Sequence, residues 1–242
     1  MSGELVRREE VGELVGRLSG DQVDSRERGR LLAQLTALLA GGFRAAGARA
    51  TLSGRWLADV VSDIAPHIPV RDLDTLRLHH GGLSGDALAE ALVRQASRAT
   101  AGVGAAGGTL AAVQHAAPPT LLIAPIQLAA ETVAVVAVEL KLVAELHVLY
   151  GRAPLAPAPQ VAAAYVGSWA AKRGVDLSQK LGLGVVLGAA ARQQLRRRVA
   201  RRLGRNLSTM APFLAGAVAG ADLNRRETRA LGAALIAELR SS

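Results

Sequence analysis

Gln127, Glu131, Lys141 and Glu145 are the residues whose types and spacing come closest to a site. At about 100° per residue they fall within an arc of about 80° on an otherwise apolar helix. Lys141 and Glu145 are i,i+4 neighbours able to pair. Glu139 lies off that stripe and His147 nearly opposite it. Ionisable groups among apolar residues need partners. The stripe is therefore expected to face water, with one buried ion pair, or to meet arginines of another helix; a narrow solvated face is the expectation. The alternative is a helical-bundle enzyme, or a ligand or metal binder, that uses Glu131, Glu139 and Glu145.

Other constellations fail on spacing. A di-iron bundle uses Glu-x-x-His, because positions i and i+3 aim both ligands inward. Glu145 and His147 are instead two apart, about 200° around a helix. His79 and His80 are adjacent beside Gly81-Gly82, and His67 and His115 each stand near a proline. Gly102-Val-Gly104-Ala-Ala-Gly107 matches G-x-G-x-x-G, but no strand precedes it and no ribose-binding acid follows. Hydrolase, zinc-protease and phosphate-loop signatures are absent. The lack of cysteine excludes disulfides and thiolate-held zinc. The sequence implies no cofactor, no metal and no catalytic residue, so a non-enzymatic role is expected.

The sharpest electrostatic feature is residues 192–205, RQQLRRRVARRLGR, with seven arginines and no acid. The chain carries 29 Lys+Arg and 20 Asp+Glu, a net charge of +9; this segment supplies +7 and everything else +2. Leu195, Val199 and Leu203 form an apolar line, with Arg197, Arg198, Arg201, Arg202 and Arg205 on the other side. A basic amphipathic helix of this kind suits an anionic membrane surface. It equally suits a solvated face that neutralises acids such as Glu131 or Glu139. Nucleic acid is the third reading, weakened because no aromatics interleave for base stacking. A protein partner or a second copy of the chain completes the set of expected partners.

Helices must position these groups. Apolar residues recur at three- and four-residue spacing and the breaks are Gly, Pro or Ser-Gly-Asp, which predicts an all-α helical bundle. Helices are expected over 3–18, 24–46, a short stretch around Trp56–Val61, from Ser84 or Asp86 as a cap, 119–150, 160–173, 178–204, 208–221 and 224–240. The last is expected to be capped within Asp222-Leu-Asn224. The polar link 71–75 and the turn at Gly81-Gly82 divide an N-terminal helical region, 1–82, from a core domain, 83–242. Three Gly-x-x-x-Gly motifs, Gly104/Gly108, Gly184/Gly188 and Gly216/Gly220, lie in Ala/Val/Leu-rich stretches. Glycines four apart share a helix face, so each motif predicts close approach of a neighbouring backbone, as in a glycine zipper.

Half of the 242 residues are hydrophobic, enough for a sizeable core despite few aromatics. Residues 119–138 are long enough to span a bilayer, at about 20 residues. Glu131 would cost about 2.5–3.5 kcal/mol at its centre, so a buried helix is the expectation and a hairpin dipping into lipid the alternative. Met1–Glu10 is charged with no apolar stretch behind it, so the cytoplasmic side is the expected location, at the inner face of the membrane if bound there. Only three of the basic residues are lysines, a bias typical of GC-rich bacterial genomes.

From about residue 84 onward the chain resembles the EcsC-like family of bacterial helical proteins, in a branch common in actinobacteria. The resemblance rests on Ala99-Thr-Ala-Gly-Val-Gly-Ala-Ala-Gly-Gly108 and on Ala144-Glu-Leu-His-Val-Leu-Tyr150-Gly151. It also rests on Ala211-Pro-Phe-Leu-Ala-Gly216-Ala-Val-Ala-Gly220-Ala-Asp-Leu-Asn224. It covers roughly two-thirds of the chain. It implies an α-helical, glycine-zippered, membrane-associated protein with no catalytic residues to carry over. The paucity of aromatics and the arginine-dense segment depart from that family.

Overall fold

The computed structural model describes residues 2–20, 23–52, 55–115, 123–154, 158–172 and 214–241. The described residues form α-helices and one 3-10 turn, with no strand among them, as the periodicity predicts. The helices are α1 (Ser2–Leu18), α2 (Ser25–Leu52), α3 (Arg55–Ile64), α4 (Leu73–His79), α5 (Gly85–His115), α6 (Ile123–Leu149), α7 (Ala158–Lys172) and α8 (Leu214–Ser241).

Local chemistry sets the helix ends. Asp24 Oδ1 accepts the Arg26 and Glu27 amides, both at 2.8 Å, and so starts α2. Asp72 does the same for α4 through the Thr75 amide at 2.8 Å. Pro125 is tolerated in α6 because first-turn amides have no intrahelical acceptor. α6 stops where Gly151 turns to φ 66°, letting Arg152 N–H reach His147 O at 2.7 Å.

The core is organised around α6. Every residue from 126 to 146 is buried, and α1, α2, α3, α5, α7 and α8 all pack against this helix. A helix that is apolar almost all round is stable only when covered in this way. None of the described helices is long and apolar enough to cross a membrane. Val11, Leu32, Ile64 and Leu76 share one apolar cluster with Leu88, Val143, Trp169 and Leu235, so residues on both sides of the 82/83 boundary contribute to it.

Among the described helices, α8 and α5 pack more extensively on each other than any other pair does. At their crossing, a Cβ on Gly104 would stand 2.5 Å from Gly220 O, and one on Gly220 would stand 2.9 Å from Gly104 O. One glycine from each of two predicted motifs therefore meets the other. Gly108 and Gly216 lie on α5 and α8, while their surroundings, and Gly184 and Gly188 altogether, fall outside the described residues.

The chain corrects the predicted last helix. Asp222-Leu-Asn224 does not begin a helix but lies inside α8, which runs unbroken from Leu214. Asp222 is used in an i,i+4 pair with Arg226 at 3.0 Å, and Asn224 reaches across to α5. α2 likewise continues to Leu52, beyond the predicted end at 46. Asp86 lies in the first turn of α5, where its carboxylate takes Arg240 Nη2 at 2.7 Å and the Tyr150 hydroxyl at 3.1 Å.

Candidate functional site

The predicted stripe is buried, which overturns the expectation of a solvated face. Gln127, Glu131, Lys141 and Glu145 are 1%, 2%, 4% and 4% exposed. The reason is that α6 is covered on all sides, leaving no side of the helix for water. The polar groups are satisfied in two separate places.

At the start of α6, Gln127 Nε2 donates to Gly107 O at 2.6 Å and to Glu131 Oε1 at 3.3 Å. The Glu131 carboxylate fills the space that a side chain at Gly107 would need. Glycine at 107 thus lets a buried carboxylate approach the α5 backbone.

At the other end, Lys141 Nζ pairs with Glu145 Oε1. Arg71, in the link before α4, brings Nη1 to 3.9 Å from the same oxygen. The second cation comes from the N-terminal region, so the stripe does meet an arginine, but one from a loop. Burial pulls Lys141 below the ordinary lysine range, while the Glu145 charge opposes that shift. A charged pair in low dielectric is held together strongly and is expensive to break on one side only.

Glu139, off the stripe, organises a third cluster that periodicity does not single out. It is fully buried. Its Oε2 accepts Trp169 Nε1–H of α7 at 2.9 Å, and its Oε1 accepts the Thr228 hydroxyl of α8 at 3.0 Å. Thr228 Oγ1 lies 2.9 Å from Thr100 Oγ1 of α5, and Asn224 Nδ2 donates to Thr100 O at 2.9 Å. One carboxylate on the central helix therefore fixes α5, α7 and α8 through a connected chain of hydrogen bonds. In the sequence the only hint of it is the placement of isolated Thr and Asn residues in largely apolar or Arg-rich helices.

These clusters consume the carboxylates that the ligand-site alternative required. Among the described residues no group of three or more His, Asp or Glu is arranged to hold a metal ion. His147 is engaged with Val143 O, 2.7 Å from Nδ1, and packs its ring on Tyr165. Arg197, Arg198, Arg201, Arg202 and Arg205 lie outside the described residues. The chain matches no family model, no curated protein and no solved structure, so its own residues carry the functional reading.

Proposed function

We propose that this protein is a non-enzymatic helical scaffold that docks peripherally on anionic membrane at the cytoplasmic face through residues 192–205. One observation carries the reading: the most apolar of the described helices is enclosed by its own chain from residue 126 to 146. Its hydrophobic surface is therefore used inside the bundle and is not offered to lipid. What the chain retains for a membrane is charge, concentrated as seven arginines without an acid over 192–205. Each arginine at an anionic surface contributes about 1 kcal/mol, so the segment is sufficient for reversible attachment. The resemblance to EcsC-like proteins points to the same class.

The test is cosedimentation with vesicles of phosphatidylglycerol and phosphatidylcholine, against phosphatidylcholine alone. Binding is expected only with the anionic lipid. It is released at about 1 M salt, where the screening length falls to about 3 Å. Changing Arg197, Arg198, Arg201, Arg202 and Arg205 to Gln should abolish it. Equal binding to neutral vesicles, or retention in high salt, would overturn the proposal in favour of apolar insertion.

A further inference from the structure

A groove of about 510 Å³ opens between the start of α2 and the first half of α5, beside the turn that follows α4. Three arginines line it, Arg28 from α2 and Arg94 and Arg98 from α5, beside the imidazole of His80 from the turn, with no carboxylate among the described lining residues. Gln95 adds a neutral amide.

Arg28 is the unusual member. It is only 5% exposed, yet its guanidinium bonds to neutral groups, Nη1 to Ala99 O at 2.8 Å and Nη2 to Val23 O at 2.9 Å. These two carbonyls lock the plane of the fork and leave its other N–H donors available. Gly102 makes room for it, since a Cβ there would meet Arg28 Cδ at 3.1 Å and Nε at 3.2 Å. A buried guanidinium is ordinarily matched by a carboxylate, because an uncompensated charge in low dielectric is destabilising. Asp24 attracts Arg28 from a distance, without a described ion pair, and does not line the groove, while Arg94 is paired with exposed Glu90 at 3.4 Å.

Two further polar atoms on residues lining this groove are buried without a hydrogen-bond partner, His80 Nε2 and Gln95 Oε1. Imidazole nitrogen can donate, and turning the Gln95 amide exchanges its oxygen for a donor nitrogen. The groove thus collects cations and spare donors around a volume suited to a small organic molecule. Guanidinium forks match the geometry of phosphate oxygens, and several such groups together match a dianion better than a single carboxylate.

We propose that this groove binds the phosphomonoester group of a small ligand, held by Arg28, Arg94 and Arg98 with His80 and Gln95 supplying neutral contacts. The group can belong to a soluble organic phosphate or to the headgroup of phosphatidic acid. Both present the same dianion. This site is separate from residues 192–205 and does not depend on the docking proposed above.

Titration calorimetry with glycerol 3-phosphate and cosedimentation with phosphatidic acid vesicles test it, using the full chain with the five Arg→Gln changes in 197–205 so that the arginine segment cannot contribute. Circular dichroism confirms that each variant is folded. Saturable binding of either probe, weakened at least tenfold by Arg98→Gln and again by Arg94→Gln, is the expected result; both side chains are exposed, so the fold should tolerate the changes. Arg28→Lys should weaken binding similarly while keeping the charge. Binding of the soluble probe that also displaces the protein from vesicles identifies a free phosphate as the source. Binding to vesicles that the soluble probe does not displace identifies the headgroup. No binding of either probe at about 10 mM phosphate, well above the weakest affinity expected of a built site, overturns the proposal. So does binding that Arg94→Gln and Arg98→Gln leave unchanged.

Discussion

Gly104 of α5 faces Gly220 of α8 so closely that a Cβ on either would enter the backbone of the other, at 2.5 Å and 2.9 Å from the carbonyl oxygens. The two helices make the most extensive pairing among the described helices, at the expense of glycine's poor helix propensity. Close approach of the backbones is what that choice of residue makes available.

Gly104→Ala is therefore expected to destabilise the fold by about 1–3 kcal/mol, because the nearest atoms it meets, the Gly220 carbonyl, are backbone and cannot rotate away, and the next is the buried Asn224 amide. Gly220→Ala should behave similarly. At Gly29 in α2 and Gly167 in α7, an added methyl group would meet no described atom within 4 Å. Alanine at either should stabilise, by up to about 1 kcal/mol through helix propensity alone. Urea denaturation of the four variants checks the contrast; a gain at Gly104 would show that the two backbones stand further apart at the crossing.

The Glu139 cluster makes a second prediction. Glu139→Ala leaves Trp169 Nε1–H and the Thr228 hydroxyl without their acceptor inside the core. Each orphaned donor costs about 1–3 kcal/mol. Glu139→Gln keeps an acceptor oxygen and should lose distinctly less. Trp169 reports directly, since its emission should shift when the indole N–H loses its carboxylate. Trp56→Phe removes the second tryptophan and isolates that signal. Equal losses for the Ala and Gln variants would argue that packing, and not hydrogen bonding, gives Glu139 its role.

How far this arrangement is legible in the sequence follows from what sets each part. Gln127, Glu131, Lys141 and Glu145 are visible as a stripe because helical periodicity is a local property. What the stripe meets is not visible, since Gly107 and Arg71 arrive from α5 and from the link before α4. Its burial is hidden for the same reason: a covered helix and a surface helix differ in their neighbours. Glu139 stands out less because its partners, Trp169 and Thr228, each occur alone in sequence with no period of their own. Asp222 and Asn224 have the residue types of a cap, yet Asn224 is held inside α8 by its bond to Thr100 O. Residue type there suggests the end of a helix, and a tertiary hydrogen bond decides otherwise. The Gly-x-x-x-Gly spacing marks the right helices, but pairing Gly104 with Gly220 requires knowing which helices cross.

The buried Lys141–Glu145 pair gives a third prediction. Lys141→Met leaves Glu145 with Arg71 as its cation, at the longer distance of 3.9 Å. Breaking such a pair from one side typically costs about 3–5 kcal/mol. The double variant Lys141→Met/Glu145→Met removes both charges and should recover much of that loss, because neither desolvation penalty remains. A double-mutant cycle by urea denaturation measures the coupling. Additive losses, with no recovery in the double variant, would mean that Arg71 and not Lys141 is the effective partner of Glu145.

His80 makes the last prediction, in pH. Burial, followed by the charges of Arg71, His79, Lys141 and Arg94, holds it below the ordinary histidine value of 6.5. The unfolded chain therefore takes up a proton that the folded one refuses. Above 6.5 both states carry neutral imidazole and the residue contributes no slope. As pH falls below 6.5 the unfolded state gains protons first, so stability declines until the folded state also titrates at its lower value. Asp24, Asp72 and Asp86 are each held below 3.8, chiefly by the Glu27 amide, the Thr75 amide and Arg240 respectively. Their stabilisation is lost only as pH drops beneath that value, which leaves the window just under 6.5 clear of them. Urea denaturation across this window should show a decline in wild type and a flatter profile in His80→Gln. The buffer must be free of phosphate, because an anion beside His80 would favour the imidazolium and mask the slope. An identical decline in His80→Gln would assign the effect to another group.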